Sequence, residues 1–415
     1  MEPKWLTERR QKAAEDFKTL PLPKTDEFWR RTNLSRIPFD QFEPIQSVTN
    51  GAAKGSASRY LPVPMMVSGE LLYGEKMSPA TLDPNSQKAG VILDGLQNAL
   101  EKYPELVLKY FGKGFQNRHE KFLAQNEAFW QTGVFCYIPK NTQVELPILL
   151  ASHFSGGNQS AAPRLLIVLD KGAKTTIVHY ASSETENDSI FLNNVVEIYI
   201  EEEAHLTYID SQALSDQTFE IAQKRIELET NAKLKWVLDI QGSKLSKTNI
   251  ETVLKGSGAA AEVLGLLCGN KKQHLELYAW TQHAAPHTTA DILIKGTAND
   301  AAKTIFQGMI RIEKAAQGTE SYMANNNLVL SEKAHADSIP RLEIEADDVR
   351  ASHGATIGQV DAEQLFYLET RGLNREEAEH LIVEGFYEDI FGRIPVESVR
   401  EVMRKNIEKK VGVIA

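Results

Sequence analysis

The segments Gly172-Ala-Lys-Thr175, Glu203-Ala-His-Leu206, Asn231-Ala-Lys-Leu234 and Gly258-Ala-Ala-Ala261 are variants of one short turn, each set just before an apolar run. Their shared alanines, Ala173, Ala204, Ala232 and Ala259, lie 31, 28 and 27 residues apart. Looser copies stand at Ala301-Ala-Lys-Thr304 and Lys333-Ala-His-Ala336. Short β-rich runs go with the turns: Leu165 to Leu169, Thr175 to Tyr180, Val195 to Ile200, Leu206 to Ile209, Lys224 to Leu228 and Leu234 to Ile240. The repeat contains no long helix. A period of this kind predicts a β-solenoid, in which each rung buries its apolar face only by stacking on the next. A large antiparallel sandwich with ordinary hairpins is the competing reading of the same runs.

Both flanks read as helical. Trp5 to Leu20 has helical spacing and stops at Pro21-Leu-Pro23. A second helix is predicted within Gly90 to Tyr103, with Leu93, Leu96 and Leu100 on one face, and a third after Pro104. Near the other end, Asp361 with Gln364 predicts a capping box and Gly372 a stop. Asn374 with Glu377 starts the next helix, whose apolar stripe is Ala378, Leu381, Ile382 and Phe386, and Pro395 opens a last one reaching about Lys409. The chain thus divides into a mostly helical region 1–120, a β core 121–360 and a short helical region 361–415. The last three helices are expected to cap the open rung, with apolar surface left over for a partner.

Composition excludes several classes. The 415 residues carry a net charge of −10, which argues against a general binder of nucleic acid or anionic membrane. No apolar stretch approaches the ~18 residues of a transmembrane helix. Met1 to Phe17 mixes Lys, Arg, Glu and Asp around no apolar segment, so no signal peptide is visible and the cytoplasm is the expected compartment. Cys136 and Cys268, the two cysteines, are far apart in apolar contexts and read as reduced, buried thiols. They cannot make the four-thiolate set of a self-contained iron–sulfur cluster. The phosphate-loop pattern is absent, so the chain is not expected to hydrolyse ATP. No Gly-x-Ser-x-Gly elbow occurs. His283 and His287 have metal-like spacing, but Pro286 between them forbids the helix that would align them, and loop histidines with structural roles are expected.

The densest chemistry lies in Pro340-Arg-Leu-Glu-Ile-Glu-Ala-Asp-Asp-Val-Arg-Ala-Ser-His-Gly-Ala-Thr-Ile-Gly358. Leu342, Ile344 and Ala346 alternate with Glu343, Glu345 and Asp347, as in a strand with one apolar face. Asp348, Ser352 and His353 follow. From the residues alone, a His353 hydrogen-bonded to Asp348 or Ser352 and stiffening the last rung is the plainer reading.

Together with Phe366-Tyr-Leu368 and Arg371-Gly-Leu373, this stretch closely resembles the carboxy-terminal core of the SufB/SufD family, scaffold proteins of iron–sulfur cluster assembly. Asn126-Glu-Ala-Phe-Trp130, His283-Ala-Ala-Pro-His-Thr288 and Phe306-Gln-Gly308 match in order upstream, as does Glu27 to Leu34 with the family's amino-terminal Trp-Arg element. The resemblance implies a right-handed parallel β-helix. It implies pairing along that helix with a SufB-like subunit, docking of a SufC-like ATPase on the carboxy-terminal helices through residues such as Leu381, Ile382 and Phe386, and a homodimer in isolation as a further possibility. It places His353 at the subunit interface as an iron or cluster ligand, opposite a SufB cysteine. The chain itself would hold no cluster stably, iron or a cluster being carried transiently at the interface with SufB. Three departures matter. Ala351 stands where some SufD relatives have a cysteine, which removes a neighbouring thiolate. Leu368 replaces a cysteine of SufB-type chains, and Gly354 stands near their Glu or His; both point to the SufD branch. A SufB-like homodimeric scaffold is the alternative within the family. A β-helical carbohydrate-active enzyme is the alternative outside it.

Overall fold

The computed structural model describes the chain except residues 1, 46–48, 51–55, 117–119, 156, 184–188 and 412–415. Met1 and the last four residues, included in the ranges 1–120 and 361–415 above, therefore lie outside the described residues.

The core is a two-sided parallel solenoid. Its strands are β1 Gly133–Ile138, β2 Ile148–Phe154, β3 Arg164–Leu169, β4 Lys174–Ser183, β5 Ile190–Ile200, β6 His205–Ala213, β7 Thr218–Leu228 and β8 Lys233–Ile240. They continue as β9 Leu245–Leu254, β10 Ala260–Gly269, β11 His274–His283, β12 Thr289–Ala298, β13 Lys303–Ile312, β14 Thr319–Val329, β15 His335–Ile344 and β16 Val349–Gln359. Odd strands stack in one sheet and even strands in the other, so each turn contributes one strand to each. Lys174 lies in register with His205, Lys233, Ala260, Thr289, Glu320 and Arg350 on successive turns. The repeat is thus 31, 28, 27, 29, 31 and 30 residues long. The antiparallel sandwich is excluded.

The recurring turn is the corner before each even strand. Gly172, Glu203, Asn231 and Gly258 all have positive φ, from 56° to 72°. The alanine after each is fully buried. Its N–H bonds back three residues, to the carbonyls of Asp170, Glu201, Glu229 and Gly256. Successive corners also bond to one another, as Gly172 N–H to Glu202 and Glu203 N–H to Thr230, both 2.9 Å. A left-handed residue therefore reverses the chain, and a small one lets the corner stack close. At later turns the small residue becomes Thr288 and then Thr319, whose hydroxyls share a 3.0 Å hydrogen bond. The looser copies belong to the opposite corner, with Ala302 and Ala334 standing ahead of the odd strands β13 and β15.

Strands buried on both faces read as nearly continuous apolar runs, and β5 is buried along its whole length. The interior packs Val196, Ile198, Tyr208, Trp236, Leu277 and Phe306 among others. The outer face of the odd sheet is covered by α1 Lys4–Thr19, short helices at Leu96–Lys102 and Pro104–Tyr110, and α2 Lys121–Phe129. Arg164 ties this cover down. Buried, it bonds Glu127 at 2.6 Å and Glu197 at 2.7 Å and lies on the Phe111 ring.

The structure differs from the sequence reading at both ends. The region before residue 120 also supplies strands to the solenoid sheets. Gly69–Gly74 extends the even sheet beside β2, and Ile92–Gly95 runs antiparallel to β1, taking Leu93 out of the predicted helix. After the core come α3 Ala362–Thr370, α4 Arg375–Phe391 and α5 Glu397–Val411. Asp361 caps α3 by accepting from Glu363 N–H, and Asn374 with Glu377 forms the expected capping box on α4. Pro395 lies before α5 rather than within it. These helices do not cap the open rung. Val383, Tyr387, Ile390, Phe391, Val402 and Met403 pack against Val237, Leu264, Leu266 and Leu293 on the outer flank of the even sheet. That face is broad and apolar, and the chain's own helices cover it. The buried stripe of α4 is accordingly Ala378, Val383, Tyr387, Ile390 and Phe391. Leu381 is exposed, and Ile382 and Phe386 are half-buried.

Candidate functional site at the open end of the solenoid

The last turn is built by β15 and β16. Each pairs on one side only, β15 with β13 and β16 with β14. The outer edges of both strands therefore offer unpaired backbone donors and acceptors. Val349, Ala351 and His353 share the inward face of β16. Val349 and Ala351 pack on the interior core, and His353 lies in register with the fully buried Met323. Among the described residues no further turn covers this column, and His353 is exposed at the mouth of the solenoid. Ile344 on β15 is 43% exposed and Ile357 on β16 52%, both on the same open end. Glu343, Glu345, Asp347 and Asp348 add an acidic rim.

The orientation expected for His353 is not what forms. Ser352 points to the outer face by strand alternation, beside Tyr322 in the neighbouring turn. The backbone of Asp348 stacks on the previous corner, its N–H donating to Gln317 Oε1 and its carbonyl accepting from Gly318 N–H. Neither residue bonds the His353 ring among the described contacts. Met323 is what lies beneath it, and Gly308 makes room for Met323: a Cβ there would come within 2.2 Å of the Met323 sulfur. Phe306-Gln-Gly308 is thus part of the support under the last turn.

Other singled-out residues have structural roles. His283 is buried and bonds Thr288 at 2.8 Å and Ser321 at 3.1 Å; burial pushes its imidazole down to about 4. His287 takes a left-handed corner position. In Asn126-Glu-Ala-Phe-Trp130, Asn126 bridges the carbonyls of Pro163 and Asn193, and Glu127 holds Arg164 and Arg9. Cys136 and Cys268 are buried, and burial raises the Cys136 thiol to about 12, so neither is a ready thiolate. Among the described residues no three His, Cys, Asp or Glu side chains converge as a metal site. No described helix is long and apolar enough to cross a membrane.

Leu381, one of the docking residues read from the sequence, is 47% exposed, and Phe366 (68%) and Tyr367 (56%) on α3 are exposed apolar residues as well. Sequence reasoning missed an ionic cluster inside the solenoid. Lys224 donates to Asp210 at 2.6 Å, His179 stands 3.1 Å from the same carboxylate, and Tyr73 lies 2.6 Å from the other His179 nitrogen. Burial alone would raise the Asp210 carboxyl, but Lys224 and His179 outweigh it and hold the group at about 2. No sequence pattern marks this cluster, because its members come from four strands.

The described residues form a parallel β-solenoid with helices on its flanks and an uncovered last turn. The chain belongs to the SufBD family: residues 152–386 match the model for the SUF system FeS cluster assembly SufBD core domain, and residues 2–150 match the SufBD protein N-terminal region. Similar proteins include an iron-sulfur cluster assembly SufBD family protein of Staphylococcus epidermidis, 28% identical over 97% of this chain and 89% of the relative. Proteins of the same description from Staphylococcus aureus (28%) and Staphylococcus saprophyticus (27%) have the same coverage.

Proposed function

We propose that this chain is a SufD-type, non-catalytic subunit of a cytoplasmic SufB–SufC–SufD assembly that builds iron–sulfur clusters. The observation that carries the reading is the uncovered last turn, where two strand edges, Ile344, Ile357 and His353 face solvent together. An exposed sheet edge with apolar residues on it calls for a partner. A SufB-like subunit extending both sheets would satisfy the backbone groups and enclose His353 between the two chains. The imidazole would then be one ligand toward iron or a nascent cluster, which is cargo of the assembly, with the remaining ligands coming from the partner. Leu368, where SufB-type chains carry a cysteine, and Gly354, near their Glu or His, favour the SufD role over a SufB-like homodimer. The Phe366, Tyr367 and Leu381 patch is the proposed dock for a SufC-like ATPase, whose hydrolysis would drive rearrangement at the interface. Co-purification with the native partners, followed by iron and sulfide analysis, tests the whole. The expected result is a three-component complex that gains a cluster, whereas the chain alone gains none. A stoichiometric cluster surviving desalting on the isolated chain would overturn the proposal.

A further inference from the structure

A second concave feature lies far from the open end, between the amino-terminal segment, α2 and the odd sheet. It is a cavity of about 470 Å³, within the range of roughly 300–1,000 Å³ usual for small-molecule sites. Six phenylalanines wall it: Phe17, Phe39, Phe42, Phe122, Phe129 and Phe191. Two pairs of rings meet edge to face, Phe39 on Phe191 at 5.2 Å and Phe17 on Phe129 at 5.7 Å, and the other pairs are tilted. Phe129 belongs to the Asn126–Trp130 segment, whose other polar and aromatic members are consumed in structural contacts. It alone stands 46% exposed.

Thr132 and Asn193 are almost fully buried, yet Thr132 Oγ1 and Asn193 Oδ1 have no hydrogen-bond partner. The Asn193 amide nitrogen is committed to Phe122 O and Gln125 Oε1, which leaves the orphan oxygen as an acceptor. Both oxygens are closed to solvent, so an occupant of the cavity does not contact them. Lys121 is the only charged side chain in the described wall, and its ammonium is spent on the carbonyls of Phe17 and Leu20 and on the Phe17 ring. A charged ligand would lose its hydration there without a counter-charge.

We infer that this cavity binds a small, uncharged, largely aromatic molecule. The test uses the full chain and N-phenyl-1-naphthylamine, a neutral bicyclic-plus-phenyl probe, followed by its fluorescence. One saturable site per chain is expected, with blue-shifted emission. Ala162→Phe, which adds a ring at the cavity wall, should weaken binding about tenfold or more, at an unchanged thermal midpoint. Phe129→Ala, at an exposed position, is the second variant and should weaken it too. The anionic 8-sulfonate of the probe should compete poorly. Non-saturable binding, full affinity in both ring variants, or equal competition by the sulfonate would overturn the inference. So would displacement of the probe by a SufB-like partner, which would show the cavity to be a protein-docking pocket.

Discussion

The His353 side chain stands exposed over Met323 at the open end of the solenoid. The sequence places Asp348 and Ser352 beside it, whereas strand alternation turns Ser352 to the other face and leaves the imidazole over Met323. Because the ring is exposed and makes no described hydrogen bond, His353→Ala should leave the thermal midpoint unchanged within a degree or two. It should lower cluster formation by the assembled complex. Thermal unfolding and iron–sulfide content measured on one preparation separate the cases; a drop of several degrees with normal cluster yield would assign the histidine to stability. Lys224 is the opposite kind of residue. Removing it strands the Asp210 carboxylate inside the solenoid, so Lys224→Met should cost about 3–5 kcal/mol in urea unfolding. Asp210→Asn in the same chain should recover part of that loss, since the stranded charge is gone.

At the scale of elements, the repeat was readable because each corner needs a left-handed residue and then a small one. The spacing 31, 28, 27 between alanines is the strand register itself. What could not be read was where the carboxy-terminal helices go, because amphipathic helices advertise an apolar stripe and not its partner. Their seat on the even-sheet flank changes how docking should be tested. Deleting everything after Gly372 would bare Val237, Leu264, Leu266 and Leu293 and invite aggregation. Phe366→Asp with Leu381→Asp changes only exposed positions. This pair should abolish binding of the SufC-like ATPase in a pull-down while circular dichroism stays native; retained binding would remove α3 and α4 from the interface. Under α5, burial raises the Asp239 carboxyl to about 6, although Gln241, Ser211 and Lys410 oppose the shift. The folded chain then holds a proton that the unfolded chain releases near pH 4, so this group's contribution falls as pH rises from about 4 to 6. Asp239→Asn should therefore match wild type at pH 4 and be more stable at pH 7, by on the order of 3 kcal/mol. Paired denaturant titrations at the two pH values would show it, and a difference that is constant with pH would contradict the burial argument.

For the whole molecule, the flanks of the solenoid are covered by its own helices and the far end is not. Each sheet is clad on its outer face, by the amino-terminal region on one side and by α4 and α5 on the other. Among the described residues, the last turn leaves strand edges, Ile344, Ile357 and the His353 imidazole together in solvent. The proposal that this end pairs with a SufB-like subunit is the centre of the account. Amide hydrogen exchange over residues 335–359, compared between the chain alone and the chain mixed with that subunit, tests it directly. Pairing predicts strong new protection in both β15 and β16, because their outward N–H groups would enter a shared sheet. Stable association with the exchange of both strands unchanged would place the interface elsewhere and contradict the account.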